Sequence, residues 1–270
     1  MKVLSKIYMW VIFALLYAPI FVVVIFSFNE GGSLAAFTGF SFKWYGELFR
    51  DSVALDSLKN SLLLALSSAF IATVIGLFAA LGLDRMRNRY LKAAIHAVTD
   101  IPMMNPDIVT GVSMMLLFVA LGGAIKFLNP GRVAMLIAHV TFSLPYVILS
   151  ILPRFKQFDP SLTEAALDLG CTPAQSFFKV ELPAIIPGII SGFVMGFTLS
   201  LDDFVISHFV SSPDFKTLPL YIYNQTAHNV KFSMYALCTL IIVTIFCLLL
   251  AVNLLGNVGE RKKKKEVMGK

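Results

Sequence analysis

Six stretches of this chain are long, apolar and free of Lys and Arg: residues 7–28, 61–83, 93–121, 133–152, 184–210 and 234–255. A run of about 20 such residues matches the hydrocarbon core of a bilayer, where the backbone must satisfy its own polar groups. Helices do that within one segment. The pattern predicts an all-α polytopic membrane protein, with six transmembrane helices in one domain over residues 1–270. The first stretch is longer than the apolar core of a signal peptide, about 7–15 residues, and no small-residue cleavage site follows, so it reads as a retained helix. Charged residues make up 14% of the chain, against about 25% in a soluble domain. Cys171, Cys238 and Cys247 form no CxxC, and the histidines are scattered; neither a disulfide framework nor a metal site is indicated.

Orientation follows from the basic residues, which favour the cytoplasmic side. With both termini inside, 15 of the 22 Lys and Arg residues fall on inner segments. The termini are therefore expected in the cytoplasm. Topology accounts for the net charge of +6; no nucleic-acid motif is present. No internal repeat is evident, so an inverted-repeat carrier gains no support.

The interval 153–183 between the fourth and fifth stretches is built to dock. Pro160 favours a first helical turn, and Ser161 with Glu164 has the spacing of a capping box. Gly170 is suited to stop that helix. Thr172, Pro173 and Gln175 repeat the pattern. Two short helices at an angle are expected, the second leaving Phe177 and Phe178 as an apolar knob.

Four acids lie inside the stretches: Asp100, Asp107, Asp202 and Asp203. Each costs about 2.5–3.5 kcal/mol at a helix centre, so such residues face an aqueous path or a partner. Asp100 is close enough to the basic loop Arg85–Lys92 to be a boundary residue. Asp107 follows Asn105-Pro106, where a missing amide and a kink free backbone groups to line a cavity. Asp202 and Asp203 fall about 27 Å along the fifth helix, towards its outer end. Adjacent helical positions point about 100° apart, so one is expected to face the path; the spacing does not separate them. Nearby basic partners are restricted to His139 and His208. An acid-lined path without fixed cations suits a cationic solute. Trp44 and Tyr45, in an aromatic outer loop, are placed to meet an ammonium by cation–π contact or to form an interfacial belt.

Glu164-Ala165-Ala166, then Gly170, then Val180-x-Leu182-Pro183, have the spacing of the coupling loop of ATP-binding-cassette importer permeases, which the chain resembles. Met104–Val109, Phe158-Asp159, Phe197–Asp203, Lys43-Trp44-Tyr45 and Leu218–Tyr223 are similar to the spermidine/putrescine branch of that family, in particular its C-type subunit. The resemblance implies the type I importer-permease fold, with a second homologous permease subunit, a cytoplasmic ABC ATPase dimer and an extracytoplasmic polyamine-binding protein as partners. It implies a place in the bacterial cytoplasmic membrane and polyamine contacts at Trp44, Asp107 and Asp202 or Asp203, with Tyr45 a candidate from the aromatic loop alone. ATPase coupling would involve Glu164, Ala165, Ala166, Gly170, Phe177, Phe178, Leu182 and Pro183.

The chain has no GxxxxGK[ST] motif. ATP and Mg²⁺ would accordingly be bound by the partner ATPase, with no cofactor and no catalytic residue in this chain. The same docking loop serves permeases for other solutes, and intramembrane acids also suit a cation-coupled secondary carrier. An intramembrane aspartyl protease would need Tyr-Asp and Gly-x-Gly-Asp elements, which are missing.

Overall fold

A computed structural model describes residues 2–32, 36–125, 128–227, 231–247 and 250. The basic tail 261–265 and the end of the sixth stretch lie outside the described residues. The described residues form helices and no strand, with two isolated bridges, Asn29–Phe40 and Ser212–Phe215. They divide into two units, residues 1–55 with 224–270, and residues 56–223.

The larger unit is built from α3 (Ser52–Arg85, which begins in the smaller unit), α4 (Arg89–Met104), α5 (Asp107–Gly122) and α6 (Arg132–Gln157). They are followed by α7 (Pro160–Asp168), α8 (Pro173–Ser176), a π-helical segment (Phe177–Glu181), α9 (Leu182–Asp202), α10 (Val205–Val210) and α11 (Leu218–Thr226, which ends in the smaller unit). Its centre is α6, whose Val147 is fully buried. Ala72 and Ala80 of α3 are also fully buried, and a Cβ built on Gly76 between them would stand 2.7 Å from Val147 Cγ1. From α9, Gly192 and Gly196 close on the same valine, at 3.2 Å from Cγ1 and 3.3 Å from Cγ2 by the same construction. Small residues at four-residue spacing let backbones approach when hydrophobicity alone gives helices no reason to associate in lipid. The stripe 72–76–80 is legible as a packing face. The second stripe, Gly188-x₃-Gly192-x₃-Gly196, carries the same signal and completes the sandwich.

Three expected spans are redrawn. The third stretch, 93–121, is two helices, α4 and α5, bent by 104° at Asn105-Pro106. Asn105 is extended (φ −78°, ψ 142°), as a residue before proline prefers, and Pro106 has no N–H to continue the ladder. The fifth stretch does not run to residue 210. A continuous helix from Pro173 ends at Asp202, and α10 restarts three residues later. Among the described residues, four helices are long and apolar enough to cross a membrane, or five if the bent pair counts as one. The sixth stretch is described as a shorter apolar helix, α12 (Ser233–Cys247).

The smaller unit holds α1 (Lys2–Phe26), α2 (Lys43–Leu48) and α12. The chain leaving α1 is tied down by Asn29, which is fully buried. Its Oδ1 accepts from Thr38 N at 2.8 Å and Thr38 Oγ1 at 3.1 Å. Its Nδ2 donates to Ala36 O at 3.0 Å.

Candidate functional site

The docking interval starts one cap earlier than the sequence suggests. Asp159, not Ser161, caps α7: its carboxylate accepts from Ser161 N at 3.0 Å. That bond holds the Asp159 carboxyl below its ordinary value. The other end is a Schellman turn, with Cys171 N donating to Ala166 O and Gly170 N to Leu167 O. Gly170 takes the left-handed conformation the turn needs, at φ +88°. Thr172 and Gln175 form the expected capping box, with Gln175 N donating to Thr172 Oγ1 and Thr172 N to Gln175 Oε1.

The second short helix does not stand alone. α8 runs through the π segment into α9 without a break, so the docking interval is one short helix plus the N-terminal end of a long one. The expected Phe177/Phe178 knob also divides. Phe177 is 6% exposed and joins the core of Val147, Ile151 and Phe155, while Phe178 is 60% exposed. Of the other coupling candidates, Glu164, Ala165, Gly170 and Pro183 are exposed, Leu182 is half-buried and Ala166 is buried. This distribution fits a helix with one seated edge and one free face.

Glu181 is not singled out by the sequence. Its side chain is 7% exposed, and both carboxylate oxygens accept from Arg85 Nη2 at 2.8 Å. Thr163 Oγ1 of α7 donates to Glu181 Oε1 at 3.1 Å. Beside this cluster lies a cleft of about 310 Å³, with Asp84, Phe155, Glu164 and Leu167 among its lining residues. An ion pair spanning 96 residues has no local periodicity to announce it.

The two aspartates at the end of α9 separate. Asp203 turns inward. Its Oδ1 accepts from Ile206 N at 3.2 Å and its Oδ2 from Ser207 N at 2.8 Å, which starts α10. Its side chain, 6% exposed, also lies 3.5 Å from Nε2 of the fully buried His139. His139 Nδ1 lies 2.7 Å from Ser200 Oγ, and Ser68 Oγ donates to that same hydroxyl at 2.9 Å. The expected poverty of pairing partners therefore does not hold for Asp203. Asp202 is exposed and, among the described residues, its side chain has no hydrogen bond or ion pair.

Asp107 is likewise exposed, in the first turn of α5, and its side chain makes no polar contact among the described residues. The bend before it does open a cleft, of about 220 Å³, whose lining includes Asn105, Thr110, Ser113 and Thr141. Asp107 itself does not line it.

In the smaller unit, Trp44 Nε1 donates to Asn29 O at 2.6 Å. The chain's own Lys43 ammonium stands 4.9 Å from the Trp44 ring centroid, so a cation already occupies that face. Tyr45 is packed among Phe28 and Phe42, with its hydroxyl 2.9 Å from Ser27 Oγ.

Residues 72–262 match the family of "Binding-protein-dependent transport system inner membrane component". The chain is 41% identical over 231 residues to the putrescine transport system permease protein PotI of Escherichia coli K12, covering 85% of this chain and 82% of that protein. It is 37% identical over 259 residues to the spermidine/putrescine transport system permease protein PotC of Haemophilus influenzae, covering 96% and 97%. In fold it is similar to a chain of a bacterial ABC transporter involved in alginate import (TM-score 0.73, 15% identity, 95% of each chain). A second structure of an alginate transporter, with its periplasmic protein bound to an alginate pentasaccharide, matches at TM-score 0.72 and 17% identity over 93% of this chain and 92% of that one.

Proposed function

The chain belongs to the binding-protein-dependent inner membrane components, the permeases of ABC importers, and we propose that it passes a polyamine from an extracytoplasmic binding protein to the cytoplasm. In this reading it crosses the cytoplasmic membrane six times, with both termini inside and α7 facing the cytoplasm. The broken pair α4–α5 counts as one crossing and α12 begins the last. It pairs with a second permease subunit, and an ATPase dimer that binds ATP and Mg²⁺ docks on α7 and on the exposed face around Phe178.

One observation carries the cargo. Asp107 and Asp202, each at a break in a transmembrane segment, are exposed carboxylates without a polar partner among the described residues. Two such charges favour a solute with two or more ammonium groups, and relatives 36–41% identical are named as putrescine or spermidine/putrescine permeases. Trp44 would take an amine by exchanging it for the Lys43 ammonium, with Tyr45 shaping the same loop. Alternating access follows from movement of α7 with the inner end of the α8–α9 helix when the ATPase dimer closes.

The test is reconstitution with the ATPase, second permease and binding protein in proteoliposomes. ATP-dependent accumulation of labelled putrescine or spermidine is expected. Accumulation driven by an ion gradient without the ATPase would instead assign a cation-coupled carrier, and ATP-dependent uptake of an unrelated solute would overturn the polyamine assignment.

A further inference from the structure

We infer that Glu181 is a coupling residue, which with Thr163 and Arg85 carries displacement of α7 to the inner end of α3. The inference rests on the importer reading above and adds the path by which force on α7 enters the bundle.

A carboxylate this deeply buried is tolerated only when paired and hydrogen-bonded. Glu181 meets both conditions through two different elements: Arg85 is the last residue of α3, and Thr163 lies in the middle of α7. Arg85 also sits where a helix C-terminus favours a cation. Among the described residues, the Thr163–Glu181 bond is the one hydrogen bond from a side chain of α7 to another helical segment. The helix otherwise rests on α8 and the π segment. Thr163 and Arg85 are therefore joined through a single carboxylate.

The third element is the segment that holds Glu181. Residues 177–181 are π-helical, with Leu182 N donating to Phe177 O. Such single-turn interruptions recur at functional sites, because the ladder there can return to α geometry by shifting one residue. Phe177 and Glu181, four residues apart, both point inward from this turn, one into the apolar core and the other onto Arg85. A shift of register would move the two together. The cleft bordered by Arg85, Thr163, Glu164 and Glu181 leaves α7 room to travel.

The experiment measures polyamine taken up per ATP hydrolysed by the complete reconstituted complex. Thr163→Val keeps the side-chain volume and leaves the Arg85–Glu181 pair in place. It is expected to lower that ratio roughly threefold or more, within the range of mutations along coupling networks, and Thr163→Ser should restore it. Glu181→Gln should lower the ratio too, and adding T163V to E181Q should lower it no further. A T163V complex with the wild-type ratio, a T163S complex as defective as T163V, or additive losses in the double variant would overturn the inference. Absence of ATP-dependent polyamine uptake in the wild-type complex would instead overturn the importer reading on which it rests.

Discussion

Asp203 Oδ2 lies 3.5 Å from His139 Nε2, with both side chains buried, while its neighbour Asp202 is exposed. Two adjacent acids of the same type thus have opposite settings. Asp203 closes the break between α9 and α10, and the proposal above gives the polyamine contact to the exposed Asp202.

This pair separates by mutation. Asp202→Asn should reduce polyamine uptake while leaving the amount and stability of the extracted protein unchanged. Asp203→Asn should weaken its hold on Ser207 N and His139 and lower thermal stability in detergent, by about 1–3 kcal/mol for impaired buried hydrogen bonds. Melting curves and uptake assays on both variants check this, and equal loss of stability in the two would contradict the assignment.

Gly170 offers a test free of packing. A Cβ there would meet nothing within 4 Å, yet φ is +88°. Gly170→Ala should cost about 1–2 kcal/mol from the left-handed conformation alone, and Gly170→Asn less. Protease sensitivity of the α7–α8 turn should rise in the order Gly, Asn, Ala.

Gly76 is limited by contact instead. Gly76→Ala would press its Cβ on Val147 Cγ1, an overpacking cost of about 1–3 kcal/mol. Removing the obstacle should reveal the cause. In a Val147→Ala background the same change should cost little, with a measured coupling of about 1 kcal/mol or more between the sites.

Phe177 and Phe178 should behave as different residues despite being adjacent. Phe177→Ala empties a core position and should destabilise the fold by about 3–5 kcal/mol. Phe178→Ala should leave the melting temperature near wild type and weaken co-purification of the ATPase. A Phe178 variant that holds the ATPase normally would remove this residue from the docking face.

Much of the fold is legible in the sequence because it follows from local chemistry. Long apolar runs without Lys or Arg specify helices, Thr172 and Gln175 announce their cap, and Gly170 announces its turn. Asn105-Pro106 marks the bend, although not that it reaches 104°. The first cap is ambiguous because Asp159 and Ser161 both suit an N-cap, and only the backbone path selects between them. The spacing Gly188-x₃-Gly192-x₃-Gly196 is as readable as the stripe on α3, but only the packing against Val147 shows that both are used.

The sequence by itself determined that the chain enters a membrane as helices, and it set the expectations of which end lies inside and where a partner docks. Those properties depend on composition and on residues within a few turns of each other. Only the tertiary structure decided which acids are occupied. Glu181 finds Arg85 across 96 residues and Asp203 finds His139 on another helix, and a buried charge takes its role from the partner that packing brings to it. Asp107 and Asp202 are exposed, with no side-chain polar partner among the described residues, and the polyamine contact proposed for them rests on that exposure.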